Sequence, residues 1–186
     1  NYYNDRFVGI PVGGYTNILQ KMVSESHVQL GVDYFSQKED LEKVADKIVY
    51  TGKIDEYFGY ELGELEYRTL DFDHKILDTE NFQGCAAMNH TDDLVSHTRT
   101  IEHKHFEGSS SDKTVVSYET PSKWSRNKIP YYPINDEKNN SVYESYRKEA
   151  QKISNTVFGG RLADYKYYDM HQVIGSALSK TKRILK

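Results

Sequence analysis

The stretch "TRTIEHKHFEGSSSDKTVVSYETP", residues 98–121, decides most of the architecture. Its two arms, 98–106 and 113–121, are rich in Thr, Val, Ile, Phe and Tyr, which suit a pleated, half-buried surface. Between them "GSSSD" (108–112) has the composition of a loop tip. Strands joined by so short a link pair antiparallel, because a parallel pair needs a crossover of a dozen or more residues. Working outward, "GCAAMNHT" (84–91) and "ELEYRTLDFDHKIL" (64–77) precede this hairpin at similar intervals. "HVQLGV" (27–32) reads as a short strand, "KIVYTG" (47–52) as a buried one and "TVFGGR" (156–161) as the last.

Helical spacing appears at both ends. Ile18, Leu19, Met22 and Val23 predict a helix from Thr16 to Ser24. "KEDLEKVAD" (38–46) and "IDEYFGYELG" (54–63) predict short helices, and "NNSVYESYRKEAQKIS" (139–154) a longer one. From Tyr168 onward, Met170, Val173, Ile174, Ala177, Leu178, Ile184 and Leu185 form one apolar stripe that should face a core. The fold class predicted is α+β, an antiparallel sheet of about six strands flanked by helices.

Composition narrows the function. The chain has 186 residues, enough for one substantial core or one domain with an appended lobe. Its net charge is −4 with lysine and arginine scattered, so no nucleic-acid partner is expected. No apolar run approaches the roughly 18 residues of a membrane span. No signal peptide is expected, and the single cysteine, Cys85, excludes an internal disulfide framework within these residues, so a cytoplasmic setting is expected. Cys85 itself, among small residues, is expected to be a small buried side chain. The chain opens on Asn1 rather than Met and reads as a piece of a longer protein. Its sixteen tyrosines suit clefts and interfaces, and equally half-buried strands.

Chemistry concentrates in "FGGRLADYKYYDMHQVIGSAL", residues 158–178. Asp169 can cap the helix whose N-terminus carries positive partial charge and favours anions. Gly159 and Gly160 permit close backbone approach, and Arg161 offers a planar fork suited to phosphate. The same residues also fit a strand, a tight turn and a capped helix, with Arg161 in a surface ion pair. Arg68 and Arg99 lie in predicted strands as well, accompanied by Asn89, Tyr131, Tyr132, Tyr167 and Tyr168. Such arginines need a phosphate or carboxylate partner, so the set reads either as a diphosphate clamp or as arginine–carboxylate pairs. His103 and His105 share one face of a predicted strand, but neighbouring His97 and Glu102 complete no ligand set, and no metal is expected. "KWSRNK" (123–128), with the only tryptophan, reads as a solvated basic turn.

Seven blocks, in this order, carry a resemblance: "NDRFVGIPVGGYTNILQKM", "KIVYTGKIDEYFGY", "LEYRTLDF", "NFQG", "TRTIEHKHF", "IPYYPIND" and "FGGRLADYKYYDMHQVIGSAL". Together they closely resemble the C-terminal half of bacterial UDP-galactopyranose mutases, from Asn1 to about Leu178. The resemblance implies a fragment of a larger FAD-binding α/β flavoprotein, with residues 1–155 a substrate-binding sheet domain and 156–186 a return segment of the FAD-binding domain. It implies an isomerase that interconverts UDP-galactopyranose and UDP-galactofuranose for galactofuranose and cell-wall biosynthesis. In that family reduced FAD attacks the anomeric carbon through its N5, with no net redox and no catalytic nucleophile on the protein. By the resemblance Arg99, Tyr132 and Tyr167 contact the diphosphate, and Arg161 lies between flavin and substrate phosphate. Asn89 reaches the nucleotide-sugar and Phe7 falls near an aromatic position by the sugar. Arg68, Tyr168, Asp169 and Met170 belong to the flavin side.

The match also has departures. The glycine-rich βαβ unit that holds most of the FAD is absent, as is the helical segment carrying the uridine-stacking residues and a second diphosphate arginine. The chain alone is therefore expected to be inactive and not to retain FAD; its partners are UDP-galactose or UDP, the missing N-terminal half, and a second copy as a homodimer. Lys53 replaces a usual proline, and "SHTR" with His97 replaces a more typical "PYTR". The alternatives are another flavoprotein of the same superfamily, amine oxidase-like, or a non-catalytic nucleotide-sugar binding module.

Overall fold

The hairpin of residues 98–121 forms, with a change in its first arm. In the computed structural model, which describes residues 6–185, the helices are α1 (Gly14–Met22), α2 (Lys38–Lys43), α3 (Ile54–Tyr57), α4 (Lys104–Glu107), α5 (Glu137–Ala150), α6 (Gly160–Ala163) and α7 (Met170–Ile184). The strands are β1 (Ile48–Tyr50), β2 (Tyr67–Leu77), β3 (Ala87–Asn89), β4 (Arg99–Glu102), β5 (Thr114–Ser122), β6 (Tyr132–Pro133) and β7 (Thr156–Phe158). The readings that fall on residues 1–5 and 186 lie outside the described residues. The fold is α+β, as expected: five strands pair antiparallel and two pair parallel.

Two units divide the chain, and each is built differently. The first takes the described residues up to Val32 together with Asp71–Pro121. In it β4 pairs antiparallel with β3 and with β5, so that Asn89 and Glu119 both stand opposite Arg99. Beyond β5 lies the second half of β2. Its buried side chains are mostly polar: Thr100, Glu102, Thr114, Ser117 and Glu119, with Val116 the apolar one among the described residues. The Ser117 hydroxyl is held between His74 Nδ1 and His103 Nε2, each at 2.6 Å. Such a network fixes side-chain positions more sharply than it lowers the free energy of folding.

That network explains where the first arm departs from expectation. His103 takes helical dihedrals rather than extended ones, and the chain turns into α4. His103 and His105 therefore do not share a strand face: one bonds Ser117, and the other lies 3.1 Å from Glu102. Residues 27–32 form no strand; Val28 and Leu30 are exposed, with no partner strand to cover them. The first helix begins at Gly14, two residues before the expected start, and buries none of its apolar residues. Cys85 is exposed, not buried. The inward side of its loop is taken by Gln83, whose amide donates to Cys85 O (2.8 Å) and Thr100 O (3.2 Å).

The second unit, Asp33–Leu70 with the residues from Ser122 onward, has an aromatic core. Ile54, Leu65, Tyr67, Tyr146 and Tyr165 are buried together, with Phe58, Trp124, Val142, Tyr143 and Phe158 against them. Trp124, expected in a solvated turn, instead packs 4.9 Å from the Tyr67 ring. Buried phenols need partners. Tyr146 donates to Gly63 O (2.6 Å) and accepts from Leu62 N–H (3.0 Å). Tyr165 donates to Glu66 O and accepts from Ile134 N–H (3.1 Å). The first residues of β2 pair with β6, placing Arg68 opposite Tyr132. Separately, β1 and β7 pair parallel, Tyr50 opposite Phe158.

After β7 the chain passes through Gly160, whose φ of +86° is a left-handed conformation that glycine adopts without penalty. Helix α7 then follows, capped at Asp169 by a reciprocal capping box with Gln172. Only part of its apolar surface is covered. Val173, Lys180 and Ile184 are half-buried, whereas Met170, Ile174, Leu178 and Leu185 are exposed. The packed face is fixed by Lys180, which donates to Phe158 O (2.7 Å) and pairs with Asp164. A polar anchor thus decides which stripe turns inward.

Candidate functional site

The nominated residues fall into two groups, one in each unit. In the first unit Asn89 and Arg99 are direct cross-strand neighbours on β3 and β4, and Arg99 Nε donates to Asn89 Oδ1 at 2.9 Å. On the other side Arg99 Nη1 lies 3.5 Å from Glu119, a long ion-pair contact. One edge of the guanidinium is thus committed, and with two-fifths of the side chain exposed the rest stays available. Phe7, in the segment before α1, is strongly exposed and carries the Arg6 guanidinium 5.1 Å from its ring centre. In this unit His97 meets His90 and Tyr118 edge-on, at 4.6 and 4.8 Å. Burial and then His90 hold its imidazole below the usual pKa.

The second unit gathers Arg161, Tyr132 and Tyr167. Arg161 leaves β7 through the two glycines and sits in α6. Its guanidinium stands 4.9 Å from the Tyr167 ring centre and 5.8 Å from that of Tyr132, and those two rings are 5.5 Å apart. One Nη donates to Tyr131 O at 2.9 Å. Among the described residues no carboxylate pairs with Arg161. Stacked aromatics hold a guanidinium in plane while leaving its other donors free, which suits a bidentate oxyanion. Arg68 is exposed on β2. Tyr168 donates to Asp164 at 3.2 Å, and burial raises its phenol pKa.

At the mouth of α7 the first-turn amides of Met170 and His171 have no intrahelical partner by helix geometry. Met170 is mostly exposed there. A recess of about 570 Å³ elsewhere in this unit is lined by Ile54, Tyr143, Val157, Phe158, Lys180 and Ile184 among others, and by none of the nominated residues. It follows from the bare side of the β1–β7 pair, since parallel strands are ordinarily covered on both faces.

Sequence reading weighed Glu102 only as an incomplete metal ligand and missed what it holds. Its carboxylate is fully buried and accepts from the amides of Phe82 (3.0 Å) and Gln83 (2.8 Å). Burial alone would raise its pKa, but those amides, together with the Thr114 and His105 side chains, outweigh it and pull the carboxyl down to about 2. The available signal was its place on β4 in alternation with Arg99 and Ile101, which put an acid on the inward side.

A profile of the family described as UDP-galactopyranose mutase matches residues 1–167. The chain belongs to the UDP-galactopyranose mutase family. Among curated mutases it is 35% identical to a probable UDP-galactopyranose mutase of Klebsiella pneumoniae over its whole length. It is likewise 35% identical to a UDP-galactopyranose mutase of Mycoplasma pneumoniae, across 95% of the chain. Similarity extends to a dTDP-fucopyranose mutase of Escherichia coli, 32% identical over the whole chain. The chain spans about half the length of these mutases, 48–51% of each. No helix among the described residues is long and apolar enough to cross a membrane.

Proposed function

We propose that this chain is the C-terminal part of a flavin-dependent isomerase that interconverts UDP-galactopyranose and UDP-galactofuranose without net redox. The observation that carries the reading is Arg161: a guanidinium set against two tyrosine rings and free of any carboxylate among the described residues. In this reading Arg161, Tyr132 and Tyr167 bind the substrate diphosphate, with Arg161 also next to the flavin. Arg99 supplies a further diphosphate contact, Asn89 reaches the nucleotide-sugar, and Phe7 lies by the sugar. Residues 1–155 serve as the substrate-binding part and 156–186 as a return segment of the flavin-binding domain.

The residues present fit a flavin at the mouth of α7. Two unpaired first-turn amides, the positive helix end and an exposed Met170 suit an anionic ring system. Tyr168, Asp169 and Arg68 would complete that side. Bound reduced FAD would supply the nucleophile for the anomeric carbon. The chain's own residues bind the leaving diphosphate, hold it in place and neutralise its charge. The protein works in the cytoplasm, as a homodimer, and depends on an N-terminal half for FAD retention and turnover.

A second reading concerns the nucleotide alone. The dTDP-fucopyranose mutase of Escherichia coli is nearly as similar as the UDP-galactopyranose mutases, and a diphosphate clamp serves either nucleotide. UDP and dTDP titrated separately into the chain, followed by amide NMR, separate the two. Saturable UDP shifts at Tyr132, Arg161 and Tyr167, abolished by Arg161→Ala, are expected. Preference for dTDP selects the second reading. Absence of binding to either, in the chain and after restoring an N-terminal half and FAD, overturns both.

A further inference from the structure

Strand β3 has three residues, all exposed, and it pairs on one side only, with β4. Strands that short, at an edge, hold their register weakly by themselves. Register matters here because a slip of one residue turns every side chain to the other face. Asn89 would then leave Arg99, to which it is bonded at 2.9 Å.

What holds the register is a buried acid. Glu102 closes β4, and its backbone N–H donates to Ala86 O just before β3. Its carboxylate takes the amides of Phe82 and Gln83 in the loop leading into β3. Gln83 then ties the same loop to Cys85 O and Thr100 O, and Gly84 N–H is held by Asn81 Oδ1 at 2.8 Å. The loop can shift along β4 only by giving up both backbone hydrogen bonds to that carboxylate, which would keep the His105 ring, 3.1 Å away, as a side-chain partner. Two hydrogen bonds to a buried charge are the strongest contacts the loop has.

We propose that Glu102 is a positioning residue: it clamps the loop of residues 81–84, sets β3 in register on β4, and so holds Asn89 against Arg99. The clamp itself stands on this geometry; its effect on ligand binding rests on the mutase reading above.

The test is hydrogen exchange and ligand titration on the 186-residue chain. In Glu102→Gln the amides of Phe82, Gln83 and His90 should each lose protection by about tenfold or more. Thr98 N–H, which donates to Glu119 O on the far side of β4, should keep its protection. UDP affinity should fall by about tenfold, while Asn89→Ala/Glu102→Gln binds no more weakly than Asn89→Ala, because Glu102 acts through the placement of Asn89. Additive losses, or loss of protection confined to Phe82 and Gln83, overturn the proposal. Should the variant fail to fold, the wild type decides: Phe82, Gln83 and His90 must open with a common free energy. His90 staying protected while the loop amides exchange freely overturns it. If the wild-type chain binds no UDP, the titration is repeated with an N-terminal half and FAD restored; failure there too removes the function reading and leaves the exchange result to judge the clamp.

Discussion

Arg161 differs from the other arginines in what surrounds it. Arg99 is shared between Asn89 and Glu119, Arg126 pairs with Glu64 at 3.0 Å, and Arg147 pairs with Glu144 at 2.7 Å. Arg161 has aromatic faces and one backbone carbonyl. Arg161→Lys keeps the charge but loses the planar fork and the stacking. It should weaken UDP binding by about tenfold or more, read by calorimetry, with little change in melting temperature. The sequence showed an arginine between glycines and tyrosines but not which partner it lacked, since the nearest acids could have folded onto it. What Glu102 holds was overlooked for the converse reason: nothing local reveals that the amides of residues 82 and 83 will converge on it. Its depressed pKa fixes a sign. A carboxyl lowered in the folded state adds stability above its unfolded pKa and loses it as pH falls through the folded value. The stability gap between wild type and Glu102→Gln, measured by urea unfolding, should stay level from pH 7 to about pH 5 and close as pH falls toward about 2.

At the scale of elements, periodicity found α5, α7, β2 and β5 to within a few residues, because each is long enough for its pattern to show. It could not find that β1 and β7 pair parallel, since their contact lies far apart in sequence. Nor could it tell which of two adjacent stripes on α7 is covered; Lys180 decides that through Phe158 and Asp164. Single serine replacements at Met170, Ile174 or Leu178 should therefore change the stability of this chain by no more than about 0.5 kcal/mol in thermal melts. Tyr146→Phe has the opposite expectation. It removes the hydroxyl that links the Gly63 carbonyl and the Leu62 amide to the buried Tyr146 ring, and should cost about 1 kcal/mol by the same measurement.

Across the whole molecule stability is unevenly placed. The second unit buries an aromatic core, and the first buries chiefly polar groups around Val116. Apolar burial drives folding and polar networks mainly shape it, so the first unit should open at lower free energy. Native-state exchange should show β3 and β4 amides opening below those in the middle of α5. The sequence showed ample tyrosine but not its destination: Tyr67, Tyr146 and Tyr165 went into the core, and Tyr132 and Tyr167 went to Arg161. At this scale too, the 186-residue chain should give no detectable conversion of UDP-galactose with reduced FAD, assayed by chromatography of the sugar nucleotides; turnover would refute the dependence on an N-terminal half.

Cys85 turns one of these questions into a clock. It is the only thiol in the chain, it is exposed, and it lies one residue past the Gly84 that ends the loop clamped by Glu102. A maleimide or nitroxide attached there needs no engineered site and no removal of competing cysteines. The mobility of the probe would report the loop's motion directly in solution, with and without nucleotide.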